Sequence, residues 1–321
     1  MKTISQKILT RYIEEPDPVM RYFALGNLLP GYENEAAYLT ARDDLFNAKL
    51  IRTLSNPPAD LHPYQKWQGA HWCLVLLADL GYPFLNPEFV PMRDKVYSWL
   101  FSEQHQKSIR TLNDRIRRCA SQEGNSIYAS VKLNLANDQT ERLVDELLAW
   151  QWPDGGWNCD KRPEASHSSF WETWSPSRAL LTWREYASGN PQVDTAIGAA
   201  CEVFLSHQLF ISATTGKAMQ AEFLRLHHPA YWKYDILVGL ELMQQAGKLS
   251  DPRCNQALDL LENKMLPEGG FPLEERFFQT SNPQGWHYSP VDWGNTSHKR
   301  ENFWVTVRAL KVLISAGRIN Y

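Results

Sequence analysis

Apolar positions recur along most of this chain at i, i+3, i+4 and i+7, the period of a helix that buries one face. Four stretches repeat one grammar of apolar helix, short break, more polar helix and second break: 71–105, 124–157, 175–210 and 234–271. In each, the first helix ("ILVGLELM" in the last stretch) is nearly uncharged and predicts an inward-facing element. The second, such as "QTERLVDELLAW", carries charge on one face and predicts an outward-facing one. Asn or Asp followed by Pro in "SGNPQVD" and "LSDPRCN" marks helix N-caps. A further apolar helix is expected in 303–319, and no alternating run of any length predicts a strand. The pattern is all-α.

Ahead of the repeats, three helices are expected in 1–15, 17–29 and 33–54, divided by "PDP" and "PGYEN". Pro-rich "NPPADLHPYQKW" then reads as an extended link. Residues 1–55 thus form an N-terminal helical part packing on or closing the repeats, and 56–321 form the repeats, read as one continuous unit. Three helices, eight from the repeats and one terminal helix make about twelve, enough to close as an (α/α)6 toroid; an open solenoid uses the same grammar.

Composition narrows the partners. A formal net charge of -3 over 321 residues gives no electrostatic case for nucleic acid. The basic run "SIRTLNDRIRRC" has acids around it and reads as a solvated helix face. The opening residues lack a signal-peptide pattern, and no apolar run reaches the roughly 18 residues of a membrane span. Five scattered cysteines, an odd number, predict free thiols in a reducing cytoplasm. Peripheral membrane contact through one apolar edge is compatible with all of this.

"LLAWQWPDGGWN" and "ENKMLPEGGF" resemble the Gln-Trp repeats of squalene and oxidosqualene cyclases and the Gly-Gly turns of protein prenyltransferase β-subunits. The order of double-Gly turn, loop and inner helix is the same in "PDGGWNCDKRPEASHSSFWETWSPSRALL" and in "PEGGFPLEERFF…HKRENFWVTVRALKVL". The likeness covers residues 60 to 321 and implies the α/α-toroid superfamily. It also implies a hydrophobic, isoprenoid-type small molecule in a central cavity, and acid-initiated carbocation chemistry or prenyl transfer. Gly155, Gly156, Gly269 and Gly270 suit a crowded helix C-terminus, so Gln151, Trp152 and Trp157 read as architectural.

The D-x-D-D signature of squalene cyclases is absent; Asp43-Asp44 in "ARDDLF" reads as a helix face. Asp235 occupies a comparable place before an inner helix, with His227, His228, Tyr231 and Tyr234 within eight residues. It reads either as a general acid tuned by His228 and the tyrosines, or as an N-cap. The catalytic candidates are Asp235, His228, Tyr234 and Glu172. On the resemblance to prenyltransferases, the family's zinc-binding His falls on Glu172, while the Asp-x-Cys pair has no match. A modified zinc site would draw on Cys159 and His167 with Glu172, joined by Cys119, His228 or Asp235; a free Cys as a small buried hydrophobe is the plainer alternative.

Polar and aromatic groups gather at every inner-helix start, where helix dipoles favour an anion such as diphosphate. Tyr231, Trp171, Trp174, His298, Arg300 and Glu123 are therefore the candidate substrate-binding residues. Two other readings share this pattern: a non-catalytic toroid that binds a lipid-like ligand or peptide, and a helical-repeat scaffold, since "DPVMRYFALGNLL" is similar to a HEAT-type helix.

Overall fold

The computed structural model describes residues 2–3, 6–29, 31, 35–83 and 86–320. Positions 1, 4 and 5 of the first expected helix, 30 and 32–34 of the "PGYEN" break, 84–85 of the break in the first repeat, and the last residue lie outside the described residues. A short strand β1 (Lys2–Thr3) precedes α1 (Gln6–Ile13), α2 (Pro18–Leu28), α3 (Ala36–Asp44) and α4 (Lys49–Ser55). There follow α5 (Ala70–Asp79), α6 (Val90–Leu100), α7 (Glu103–Gln106), β2 (Arg110–Leu112) and β3 (Arg115–Arg117). Next come α8 (Ser121–Lys132), α9 (Asp138–Trp150), α10 (Phe170–Tyr186) and α11 (Pro191–Leu205). The chain ends with α12 (Ile236–Gln245), α13 (Asn255–Asn263), α14 (Phe303–Ser315) and β4 (Ile319–Asn320). The expected helical class holds: 52% of the described residues are helix and 5% strand.

The chain divides into two compact units. The first comprises 1–56, 208–230 and 235–321, and so holds α1–α4, α12–α14 and the parallel pair β1–β4. The second comprises 57–207 and 231–234, holding α5–α11 and the β2–β3 pair.

Of the two caps the sequence marks, Asn190 caps α11 ahead of Pro191, and Asp251 caps the short turn Pro252–Cys254 that leads into α13, which has no side-chain cap of its own. A cap the sequence analysis did not mark is the reciprocal capping box of Asn137 and Thr140 on α9. In α5 nine of the ten residues are buried, so this helix is apolar all round rather than striped.

Three local expectations are corrected. The basic run is not a helix face: β2 and β3 form a hairpin whose turn residues, Asn113 and Asp114, both have positive φ (51° and 55°). Asn and Asp tolerate that backbone better than other non-glycine residues, and it matches strand twist. The third N-terminal helix is two, α3 and α4, separated by a tight turn at Leu45–Asn47 that buries Leu45 and leaves Phe46 exposed. Finally, α10 begins at Phe170 and runs through Pro176, so Trp171, Glu172 and Trp174 belong to a helix rather than to the segment before it. A β-carbon on Gly124 would lie 2.7 Å from the Pro176 nitrogen, so glycine here is what lets α8 approach α10 so closely.

Both double-glycine turns are built alike. Gly155 and Gly269 carry the positive φ (99° and 85°). Gly156 and Gly270 are needed for space: a β-carbon on Gly156 would sit 2.5 Å from Ser168 Oγ and Thr173 Oγ1, and one on Gly270 would sit 2.6 Å from Glu301 Cβ. The Trp157 N–H then donates to Thr173 Oγ1 (3.1 Å), as the Phe271 N–H donates to Thr306 Oγ1 (2.8 Å). The Ser169 N–H donates to the Trp157 carbonyl and the Asn302 N–H to the Phe271 carbonyl, each at 2.8 Å. Gln151, Trp152 and Trp157 are spent on this scaffold: Gln151 Nε2 reaches the Gly155 and Ala196 carbonyls, and the indoles donate to Ile116 and Leu147.

Candidate functional site

In the first unit, Asp235 caps α12. Its Oδ1 accepts from the Val238 N–H at 2.8 Å, and Oδ2 accepts from the His227 N–H at 3.0 Å and lies 2.8 Å from His227 Nδ1. Burial pushes this carboxyl up, but His227, with help from Arg308, more than reverses the effect and holds it below the ordinary value. Asp235 is therefore an anion with every oxygen engaged.

The histidine that tunes Asp235 is His227, where the sequence had pointed to His228. His227 Nε2 is buried and has no hydrogen-bond partner among the described residues. Its carbonyl accepts from Arg308, whose guanidinium is clamped by Glu241 through two contacts of 2.8 and 2.5 Å. The His228 ring instead lies parallel to Trp304, with centroids 5.4 Å apart, and meets Trp293 edge-on at 5.1 Å. Burial, with Arg308 and His227 nearby, drives its pKa well below that of a free imidazole. His298 and Arg300, before α14, are exposed; His298 Nδ1 is 3.7 Å from Glu274. Neither joins the buried group.

In the second unit, the starts of α8 and α10 converge. The thiols of Cys119 and Cys159 and a carboxylate oxygen of Glu172 all lie within 4.8 Å of one another. The Ser121 N–H, in the first turn of α8, donates to Glu172 Oε2 (3.1 Å), and the Cys159 thiol faces Oε1 (3.6 Å). Burial raises the Glu172 carboxyl, and these two donors only partly offset it. The Cys159 thiol is pushed up as well, first by Cys119 and then by burial. His167 is not part of this group. Its side chain is exposed, and its carbonyl accepts from the Asn158 amide (2.7 Å).

Glu123, in the first turn of α8, is fully buried, and its carboxyl is shifted in the opposite direction from that of Glu172. Burial raises it, but Arg118, which donates through Nε at 2.9 Å, and His105 at 3.4 Å hold it below the ordinary carboxylate value. It is an internal ion pair rather than a free binding group.

The aromatic candidates of this unit are held by ring contacts and hydrogen bonds. Tyr231 lies face to face with Trp67 at 3.7 Å and 9°, and its carbonyl accepts from the Asn125 amide. Trp174 donates to the Trp232 carbonyl (3.1 Å), and Trp171 meets the Trp232 ring edge-on at 6.0 Å. Lys66 and Lys233 lie over the same indoles, 4.9 and 4.7 Å from the Trp232 centroid. Tyr234 packs on Phe204 and Phe170 at 5.5 and 5.1 Å. A crevice among His71, Arg93, Tyr97, Ser126 and Ser130 has room for about one water.

No helix among the described residues is long and apolar enough to cross a membrane. Comparison with known proteins returns no matching family model, no matching curated protein and no matching solved structure.

Proposed function

We propose that this chain is a divergent toroid of the terpenoid cyclase and prenyltransferase type that binds and transforms a hydrophobic, isoprenoid-like small molecule, with His227 as its proton-transfer group. The observation that carries this reading is the state of the His227 ring: Asp235 engages Nδ1 while Nε2 is buried without a partner. A carboxylate on one ring nitrogen fixes the tautomer and leaves the other as base. In this reading Nε2 takes the proton that a carbocation sheds: the C–H bond breaks and its electron pair becomes the new double bond. Around this ring Phe277 meets His227 at 5.2 Å, while Trp293 and Trp304 flank His228; such aromatic faces stabilise positive charge. The duplicated double-glycine device supports the repeat architecture that the resemblance implies.

The test is incubation with squalene and with polyprenyl diphosphates, followed by mass spectrometry of the extract and of small molecules that co-purify with the protein. The expected result is a converted isoprenoid whose formation falls by about 10²-fold or more in His227→Gln. Asp235→Asn keeps the cap on α12 through its amide oxygen but sets an NH2 donor against the His227 N–H and carries no charge for that ring. It should fold with reduced stability and turn over far more slowly. A folded wild-type protein that neither binds nor converts any isoprenoid, or full turnover in His227→Gln, would sink the reading.

A further inference from the structure

The two double-glycine devices share a register through which each can be read against the other. Trp157, Ser169 and Thr173 in the second unit match Phe271, Asn302 and Thr306 in the first, hydrogen bond for hydrogen bond. "SFWETW" (169–174) therefore corresponds to "NFWVTV" (302–307), and "GGWNC" (155–159) to "GGFPL" (269–273). Glu172 stands where the other copy has Val305, and Cys159 where it has Leu273. Both of those apolar residues are fully buried. The scaffold thus has no need of a thiol or a carboxyl at these stations; the second unit has placed both there, facing each other.

A third group completes the set. Cys119 comes from about forty residues upstream of Cys159 and is held beside it because the Arg118 N–H donates to the Asn158 carbonyl (3.1 Å). The Ser121 N–H fixes one oxygen of Glu172 and leaves the other toward the thiols. Each of the three residues is thus positioned by a backbone contact, as ligands oriented by their surroundings are.

We propose that Cys119, Cys159 and Glu172 form a binding site for a soft divalent cation, Zn²⁺ by ligand type, with a fourth tetrahedral position left to water or to a small ligand. The geometry fits. Zinc bonds of about 2.3 Å to sulfur and 2.0 Å to oxygen, at the tetrahedral angle, put adjacent S and O ligands roughly 3.5 Å apart. Cys159 Sγ and Glu172 Oε1 are 3.6 Å apart. Two zinc-bound sulfurs would be about 3.8 Å apart, which lies inside the 4.8 Å that bounds all three atoms. Both cysteines are partly exposed, so the ion has a route in. Three protein ligands with an open position are the arrangement of a reactive zinc site rather than of a closed structural one. The inference does not depend on the role given to His227.

Cobalt substitution of the purified protein tests this. Co²⁺ added to metal-free, reduced protein should give about one equivalent of binding, a thiolate-to-metal charge-transfer band and the intense visible bands of a tetrahedral site. Zn²⁺ should displace it. Cys119→Ser and Cys159→Ser should each abolish the charge-transfer band or weaken binding more than about tenfold, Glu172→Gln should weaken binding, and His167→Ala should leave it intact. Because the wild-type spectrum is a readout in itself, the test survives a variant that fails to fold. Absence of the charge-transfer band, binding that persists in both serine variants, loss of binding in His167→Ala, or quantitative Cys119–Cys159 disulfide in freshly isolated protein would each overturn the proposal.

Discussion

Glu172 and Val305 hold the same station in two copies of one device, each one residue before the threonine whose hydroxyl receives the N–H that follows the double glycine. A buried carboxyl without an ion pair is costly, so the two sites should respond asymmetrically to exchange. Val305→Glu places that group where no donor awaits it and should destabilise the protein by more than about 3 kcal/mol. Glu172→Val removes a buried carboxyl but leaves the Ser121 N–H without its acceptor. These terms are opposed and each is worth about 1–3 kcal/mol, so the net change should stay within about 1.5 kcal/mol. Urea unfolding of the two variants checks both.

The glycines offer a second contrast. Gly156→Ala drives a methyl group into Ser168 and Thr173 and should cost about 2–3 kcal/mol by overpacking. Gly198, inside α11, has nothing within 4 Å of its would-be β-carbon. Gly198→Ala should therefore stabilise the protein by about 0.5–1 kcal/mol, since glycine in a helix interior is the poorer choice. Thermal melts of the two variants should move in opposite directions.

What could be read from the sequence was whatever repeats locally. Helix periodicity, the Asn and Asp caps and the paired glycines each lie within a few residues of the feature they produce, so the helical class and the corner at Gly155–Gly156 were legible. The site was legible in part. Cys159 and Glu172 stood out by type, but Cys119 reaches them through a pairing of distant backbone at Arg118 and Asn158 that no spacing rule encodes. His167 lay nearer in sequence and drew attention for that reason alone. The clearest signal was present and needed only register: "FWET" against "FWVT" isolates Glu172 as the departure from an apolar scaffold. His227 and His228 are adjacent, and composition cannot say which ring turns toward Asp235. The hairpin at Asn113–Asp114 was missed because three-residue strands are too short to show alternation.

Acid should weaken this fold earlier than its carboxylates alone would explain. Burial lowers His71 from 6.5 to about 3, with Glu123 opposing weakly, and His228 is also held well below its ordinary value. Both rings are neutral in the folded chain, whereas the unfolded chain takes up a proton on each below about pH 6.5. The unfolded state therefore binds more protons, and stability falls as pH drops from 6.5 toward 3. Each histidine contributes at most about 1.4 kcal/mol per pH unit. Glu123 and Asp235, whose folded values are depressed, add loss of the same sign only below the ordinary carboxylate range. Glu172, raised by burial, acts in the opposite sense as pH falls toward the carboxylate range. The histidine contribution is therefore read by comparing denaturant midpoints between pH 7 and 5 in wild type and His71→Asn, whose slope should be shallower.

Arg118 and Glu123 allow the cost of an internal charge to be separated from the value of its pairing. Both are buried, and Arg118 contacts Glu123 Oε1 and the His105 ring together. Arg118→Met leaves a carboxylate inside the protein with only His105 beside it, and should cost about 3–5 kcal/mol. Glu123→Leu alone strands the guanidinium and should cost a similar amount. The double variant removes both charges along with their desolvation, so it should lie closer to wild type than either single one. The coupling energy from this cycle should exceed about 2 kcal/mol. Additive losses in urea unfolding would instead mean that the two side chains act independently despite their contact, with His105 as the real partner of one of them. A His105→Gln background then decides which: if Glu123 leans on the imidazole, the cost of Arg118→Met should rise further once that ring is gone.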